Sequence, residues 1–349
     1  MKTKIVCTLG PSSNSEEKLR EMIAAGMNVA RVNCSHESTK QREILIRLIK
    51  KLRAELGVDL KIMLDTRGPE IRVGRFGDTH EKTGQNGFVD LTDGQIFTFH
   101  TKPVVGDTKG VYVTYDRLPK VVKIGQEVLL NDGLIVMTVE SVTADTVVAR
   151  VKNAGRLSDR KTMFVPGCDL GLPFISPEDA EDIAMGCREG MDWIALSFVN
   201  SEKDLAEIKE FLKQNGREDV VLISKIESLM GVNNLDSILK NTDGVMVARG
   251  DLGVEFPYEK IPALQKDIIA RTRNAKKIII AATEMHESMI EKARPTRAET
   301  TDVANAIWDG SDYIMTSAET AVGKYPIQTV QSMLKIARDA EEHKKYFRM

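Results

Sequence analysis

Lys225 and Glu227 stand two residues apart at the end of the apolar run Val220 to Ile226, so in extended backbone both side chains leave from one face. The same spacing recurs along the chain. Arg31, Asn33 and Ser35 alternate at the end of the run Asn28 to Cys34, and Asp65 and Thr66 close Lys61 to Thr66, followed by Glu70 and Arg72. Arg249 and Asp251 end Gly244 to Gly250, and Thr283 and Glu284 end Lys277 to Met285. Glu227 and Asp251 offer hard oxygen ligands of the kind Mg²⁺ takes, leaving other positions to water or substrate oxygens. Arg31, Arg72, Lys225 and Lys161 supply cations for a multiply charged anion, and placing charge around phosphoryl oxygens is the main work of phosphoryl transfer. The glycines of Arg249-Gly250-Asp251-Leu252-Gly253 are read as a turn whose amides approach a ligand closely. No Walker A or G-x-G-x-x-G string is present, which weighs against P-loop and dinucleotide-binding readings. Spacing alone leaves a plainer reading open. A Lys-x-Glu pair is also what a surface ion pair looks like, Arg31 or Arg249 could brace a rim, and Asp65 could cap the next element. His36 reads by default as a capping or exposed residue, and Cys34 and the scattered methionines as core filler.

Positioning such groups requires elements that end together. Short β-branched runs alternate with stretches of helical period about eight times, with candidate strands at Lys4 to Gly10, Asn28 to Cys34, Lys61 to Thr66, Trp193 to Phe198, Val220 to Ile226, Gly244 to Gly250, Lys277 to Met285 and Tyr313 to Glu319. Ser38 to Leu56, Ser201 to Asn215 and Leu229 to Lys240 read as amphipathic helices. The expected fold is an α/β class (β/α)8 barrel, formed by residues 1–69 and 172–349, with chemistry at the C-terminal strand ends. Between 70 and 171 the rhythm gives way to short runs separated by Gly, Asp-Gly and Asn-Asp-Gly turns, which predicts a small inserted β-barrel-like domain after the third strand. Its two connections to the barrel suggest a mobile lid.

Composition narrows the function classes. The 349 residues are 42% hydrophobic and 29% charged, with 49 Lys+Arg against 51 Asp+Glu, a net charge of −2. That balance supplies no general attraction to nucleic acid or anionic membrane, so no partner of either kind is expected and an anion site must be local. The N-terminus is too short in apolar residues for a secretory signal, no run spans a membrane, and the four dispersed cysteines form no C-x-x-C pair. A reduced, cytoplasmic protein is expected.

The sequence resembles the pyruvate kinase family over almost its whole length. The matching strings, in order, are Lys4-Ile-Val-Cys-Thr-Leu-Gly-Pro11, Gly26-Met-Asn-Val-Ala-Arg31, Leu64-Asp-Thr-Arg-Gly-Pro-Glu-Ile-Arg72, Ser224-Lys-Ile-Glu227, Gly244-Val-Met-Val-Ala-Arg-Gly-Asp-Leu-Gly253 and Arg294-Pro-Thr-Arg-Ala-Glu299, the last continuing as Asp302-Val-Ala-Asn-Ala306. The resemblance implies transfer of a phosphoryl group from phosphoenolpyruvate to ADP, giving pyruvate and ATP. It implies Mg²⁺ (or Mn²⁺) on Glu227 and Asp251, and K⁺ on Asn33, Ser35, Asp65 and Thr66, with Glu70 as the residue associated with K⁺ dependence. Lys225 would stabilise the transferring phosphoryl group, and Arg31 and Arg72 would hold phosphates. Pro11, Asn33, His36, Arg72 and Lys161 would border the nucleotide. Ala248, Arg249, Gly250, Asp251 and Thr283 would bind the pyruvate end, with Thr283 also on the proton route to the enolate carbon.

Departures from the family pattern keep other readings in view. The sequence stops at Met349, without the C-terminal domain that usually follows in the family, so effector control through that domain is expected to be absent and a barrel-to-barrel homodimer is expected. Thr283-Glu284-Met285-His286 replaces the usual Thr-Gln-Met-Leu, Thr316-Ser317-Ala318 the usual Leu-Ser-Gly, and Thr162-Met163-Phe164 the usual Gly-Val-Asn; Cys34 stands where Phe is common, and Phe198-Val199-Asn200 lacks a basic residue. The alternatives are a related kinase of altered substrate, a Mg²⁺-dependent enolate-handling lyase or aldolase, and a weakened enzyme acting as a binding partner. Retention of Arg31, His36 and Lys161 speaks against the lyase, and intact Lys225, Glu227, Asp251 and Thr283 against the binding partner.

Overall fold

The structure is a computed structural model describing residues 2–77, 87–131, 133–168 and 170–344. Asp132 of the expected Asn-Asp-Gly turn and the terminal residues 345–349 lie outside the described residues. The strands run β1 (Lys4–Thr8), β2 (Val29–Asn33), β3 (Lys61–Asp65), β4 (Ile71–Arg72), β5 (Phe88–Leu91), β6 (Ile96–His100), β7 (Gly110–Tyr112), β8 (Glu127–Leu130) and β9 (Ile135–Val142). They continue as β10 (Thr146–Val151), β11 (Gly155–Ser158), β12 (Thr162–Phe164), β13 (Trp193–Leu196), β14 (Val221–Ile226), β15 (Gly244–Ala248), β16 (Ile278–Ala282) and β17 (Tyr313–Thr316).

β1, β17, β16, β15, β14, β13, β3 and β2 close into one parallel barrel, the expected fold. Strands covered on both faces should read as unbroken apolar runs, and Trp193–Leu196 and Ile278–Ala282 do. Val6, Met63, Ala195, Ile223, Met246, Ile280 and Met315 are among the side chains that fill the barrel interior. The helices start where local chemistry satisfies their first amides. Ser38 and Gln41 form a capping box for the helix Thr39–Leu56, Ser201 and Asp204 another for Glu202–Gln214, and Ser176 with Pro177 opens Pro177–Glu189.

Four expectations change; the strand expected over Tyr313 to Glu319 ends at Thr316, and Ala318–Ala321 is a short helix. The helix expected over Leu229 to Lys240 is two, Leu229–Asn233 and Leu235–Asn241, divided at Asn234, whose side-chain amide donates to Asn200 O at 2.8 Å. An Asn side chain that bonds backbone outside the helix competes with helix continuation. The glycine turn expected at Arg249 to Gly253 is instead the beginning of a helix, Arg249–Glu255, that starts directly after β15. β16 ends at Ala282 rather than Met285, because Thr283 and Glu284 both turn into the left-handed region, φ 66° and 52°.

The described chain divides into two compact units: Met1–Gly68, Phe174–Leu252 and Tyr258–Met349 in one, Pro69–Pro173 with Gly253–Pro257 in the other. The second unit carries a seven-stranded sheet in the order β4-β12-β8-β9-β10-β6-β7 and the two-stranded ribbon β11-β5. Val73, just after β4, bridges Val113, just after β7, so the two edges of the sheet meet. Its own core includes Ile71, Phe97, Phe99, Val128, Met137 and Val147.

Gly244 shows how little slack the barrel wall has. A Cβ there would come within 2.6 Å of Ile223 Cδ1 and 2.8 Å of Ile278 Cβ, whereas one at Gly253 meets nothing within 4 Å. Gly244→Ala is expected to destabilise the protein by about 1–3 kcal/mol through overpacking, and Gly253→Ala, within a helix, to be neutral or slightly stabilising. Urea unfolding followed by circular dichroism checks the pair; equal midpoints would refute the packing argument.

Candidate active site

Asp65, at the end of β3, is 1% exposed and receives two cations: Arg31 Nε at 2.7 Å from β2 and Lys225 Nζ at 3.1 Å from β14. Strand register makes this possible. Arg31 pairs with Met63 and Asn33 with Asp65 across β2 and β3, while Ala195 of β13 pairs with Asp65 on the other side. Lys225 also donates to Ser197 Oγ at 2.6 Å and lies 3.0 Å from Glu227 Oε1, and Arg31 Nη1 donates to Thr8 Oγ1 at 2.8 Å. Ser197 is fixed in turn, its hydroxyl donating to Thr66 O at 2.7 Å and its amide to Thr66 Oγ1 at 3.1 Å. Glu227 Oε2 accepts from Phe198 N at 2.7 Å.

The electrostatics follow from burial and sign. Burial alone would lower the Lys225 pKa, but Asp65 and Glu227 outweigh it and hold the ammonium well above the ordinary lysine value. Burial likewise opposes ionisation of Asp65, and Arg31 and Lys225 together keep its carboxyl below the usual range. Glu227 goes the other way. Burial and the neighbouring Asp251, to which it hydrogen-bonds, push its carboxyl up to about 8 against the pull of Lys225. Two carboxylates near enough to share a proton form a donor pair that a divalent cation fits, since bound positive charge removes the repulsion that holds the proton there. Among the described residues no group of three or more His, Cys, Asp or Glu is placed to hold a metal ion, so this pair would leave coordination positions to water or substrate.

At the end of β16 the backbone is strained. Thr283 is β-branched yet has φ 66°; its hydroxyl donates to Ala282 O at 2.6 Å and accepts from Gly250 N at 2.9 Å. Arg249 clamps this turn. Its guanidinium donates to Ala282 O at 3.1 Å and to Thr283 O, lies 2.9 Å from Met285 Sδ, and pairs with Asp302 at 2.5 Å. The Arg249 side chain thus shapes the loop, and the Gly250 amide and the Thr283 hydroxyl are bonded to each other. Glu284 is exposed, and its charge is felt by Glu287, whose carboxyl is raised by burial first and then by Glu319 and Glu284.

Pro11, Arg31, Asn33 and His36 line one cavity of about 460 Å³ at the ends of β1, β2 and β17, together with Glu37, Ser317 and Ala318. Ser38, not His36, caps the following helix. The expected K⁺ ligands lie on adjacent strand ends, but in this arrangement Asn33 Oδ1 accepts from Ser35 N at 3.0 Å, Thr66 Oγ1 from Ser197 N, and Asp65 from Arg31 and Lys225. Arg72, Glu70 and Lys161 belong to the second unit. There Arg72 Nε donates to Glu70 Oε1 at 2.7 Å and Nη1 to Arg160 O at 2.9 Å.

Four residues were missed by sequence reasoning. Thr8 ends β1 and Ser197 follows β13, positions the strand-end rule covers, as it covered the hydroxyls of Ser35, Thr66 and Thr283. Arg42 donates from Nη1 to the carbonyls of Cys34, His36 and Glu37 at 3.2, 2.7 and 2.8 Å, and Nη2 pairs with Asp182, so it holds the loop bearing His36. Its signal was a charge on the apolar stripe shared with Leu45, Ile46, Ile49 and Leu52. Glu319, fully buried, accepts from His286 N at 3.0 Å and Ser317 N at 2.6 Å, tying together the loops after β16 and β17.

The family model for the barrel domain of pyruvate kinase matches residues 1–330. The chain belongs to the pyruvate kinase family. A pyruvate kinase from Bacillus licheniformis is 46% identical over 99% of this chain and 58% of its own length, and one from Clostridium perfringens 43% identical over 99% and 71%. A crystal structure of a pyruvate kinase from Cryptosporidium parvum aligns with TM-score 0.91 and 40% identity, covering 98% of this chain and 69% of that one. The chain therefore spans about 58% of the length of the Bacillus pyruvate kinase.

His286 is fully buried with neither ring nitrogen hydrogen-bonded. Burial, countered only in part by Glu299 and Asp302, lowers its pKa from 6.5 to about 4. The unfolded chain therefore binds this proton first as pH falls, so folding loses stability from about pH 6.5 downward until the folded ring titrates near 4. At about 1.4 kcal/mol per pH unit the loss is of order 3 kcal/mol. His286→Leu is expected to flatten this acid limb in urea unfolding at pH 7, 6 and 5; parallel curves for the two proteins would count decisively against it.

Proposed function

We propose that this chain transfers a phosphoryl group from phosphoenolpyruvate to ADP, giving pyruvate and ATP, as part of glycolysis. The observation that carries the reading is the buried Arg31–Asp65–Lys225–Glu227 chain of ion pairs at the strand ends, in a member of the pyruvate kinase family. A buried ion pair is weak evidence for stability but good evidence for a preset field, because its members cannot reorient as charge moves.

Phosphoryl transfer needs little covalent help from the protein and much fixed positive charge. Lys225, kept ionised by Asp65 and Glu227, presents an ammonium whose direction is set by Ser197. Arg31, oriented by Asp65 and Thr8, supplies a second cation for phosphate oxygens, and Arg72 and Lys161 are proposed as further phosphate and nucleotide contacts. Glu227 and Asp251 would hold Mg²⁺ or Mn²⁺, which when bound supplies Lewis-acid charge to phosphoryl and enolate oxygens. Asn33, Ser35, Asp65 and Thr66 are proposed for K⁺, with Glu70 supporting that dependence. The Thr283 hydroxyl, held at an enforced φ, suits a group that hands a proton to the enolate carbon. Pro11 and His36 are proposed to border the nucleotide; both line the cavity that also contains Arg31. No helix among the described residues is long and apolar enough to cross a membrane, and a cytoplasmic setting belongs to the same proposal.

Pyruvate formation from phosphoenolpyruvate and ADP with Mg²⁺, with and without K⁺, tests the reading: K⁺-stimulated turnover is expected, and silence from the folded, Mg²⁺-binding protein would overturn it. Lys225→Met is expected to lower kcat for phosphoryl transfer by about 10³-fold or more. Exchange of the methyl protons of pyruvate with solvent should remain measurable in that variant, because enolisation does not use the charge on the transferring group. Equal loss of both activities would remove Lys225 from the assigned role.

A further inference from the structure

The opposite end of the barrel is charged in a different manner. The N-terminal ends of the neighbouring strands β1, β17 and β16 border a cavity of about 500 Å³ lined by Lys2, Lys4, Arg273, Lys276 and Lys277, with Asp312 as its one acidic side chain. Asp312 is engaged, accepting from Ile279 N at 3.0 Å through Oδ2. Among the described residues none of the five cations pairs with a carboxylate: Lys4 lies 5.9 Å from the Tyr313 ring centroid, and Arg273 donates only to the Asp309 carbonyl at 3.1 Å. In a protein of net charge −2, five cations against Asp312 in the lining is a local excess of positive charge, though Glu341 accepts from the Lys2 amide at 2.8 and 3.0 Å and Asp59 lies near Lys4.

Two features show that this arrangement is held in place. Lys276 lies just past the cap of the helix Ile261–Asn274 at φ 57°, the left-handed position that ends a helix, and its amide donates to Arg273 O at 2.9 Å and that of Lys277 to Thr272 O at 3.2 Å, so the backbone carrying both lysines is fixed. Gly310, at φ 116°, has no Cβ where one would collide with the Arg273 side chain, and that absence lets the guanidinium lie against the backbone. The neighbouring Lys344 feels the crowding: burial, and then the charge of Arg273, lower its pKa.

We propose that this foot of the barrel binds a small anion carrying two or more phosphate groups. A monoanion would leave most of the charge uncompensated. A ligand with a large aromatic part finds no free platform, since the Tyr313 ring already packs edge-on against Trp193 at 5.1 Å. The five residues of β1 place this site about 13 Å along the strand from the Thr8 end, so it is separate from the candidate active site and independent of the function proposed above.

Calorimetric titration of the full chain with sodium tripolyphosphate, in metal-free buffer, tests the proposal. One equivalent should bind at this foot, apart from any event at the mouth that Arg31→Gln removes, with affinity falling as salt rises and at least about tenfold above that for orthophosphate. Lys276→Gly combined with Lys277→Gln should weaken binding at least about tenfold without loss of thermal stability, because glycine suits that φ. Arginine at both positions should restore binding, and Arg31→Gln, at the other end of the barrel, should leave it unchanged. Wild-type binding in the glycine–glutamine variant, loss of the only event in Arg31→Gln, equal affinity for orthophosphate, or no binding at millimolar tripolyphosphate would each overturn the proposal.

Discussion

The arrangement at the mouth of the barrel depends on the carboxylate of Asp65. It is buried, it faces a guanidinium and an ammonium on opposite sides, and it is the group that lets two cations remain ionised out of water. Without it, Arg31 and Lys225 would repel one another in a medium that screens poorly, and desolvation would favour a neutral lysine. Barrel closure is what enforces the meeting. The two partners come from β2 and β14, on either side of β3 and β13, and a slip of one residue in any of these pairings would turn Asp65 to the other face of the wall.

The same logic extends to the strained segment after β16. Thr283 and Glu284 adopt a conformation that costs of order 1–3 kcal/mol each in side chains other than glycine, so something must over-determine it. Arg249 does so by reaching the carbonyls of Ala282 and Thr283 while anchored on Asp302. The clamp aims the Thr283 hydroxyl at the Gly250 amide at the start of the helix after β15. A buried ion pair at one strand end and a strained turn at another are two ways of achieving the same result: polar groups fixed before any ligand arrives.

Period and composition made the barrel legible, because strands covered on both faces must be apolar and helices must be striped. The strand-end rule then found Arg31, Asp65, Lys225 and Glu227, whose types are rare in such positions unless they do something. It passed over some partners of ordinary type. Ser197 is one serine among many until its hydroxyl is seen between Lys225 and Thr66 O. Arg42 carried a signal, a charge on an apolar stripe, but its use, three loop carbonyls and Asp182, depends on tertiary approach. The break at Asn234 was hidden because an unbroken helical period runs across it. The left-handed turn at Thr283 was hidden because nothing in a threonine announces a positive φ; only the clamp that imposes it does.

The two ends of the barrel use positive charge under opposite rules. At the mouth, Arg31 and Lys225 already share the buried Asp65 carboxylate, so an anion bound there as proposed would gain from them only as much as these pairs leave outward, and selectivity would come from direction. At the foot, Lys2, Lys4 and Lys276 are exposed, Lys277 is half-buried, and among the described residues none is ion-paired, so an anion of the kind proposed gains most of the field but loses it to salt within a Debye length of about 10 Å at moderate ionic strength. Attraction at the foot therefore grows with ligand charge and falls with salt, whereas attraction at the mouth depends on fit and is much less sensitive to either. A protein of nearly balanced charge can maintain both regimes only by spatial separation, and the strands of the barrel wall, buried on both faces and fixed in register, provide it.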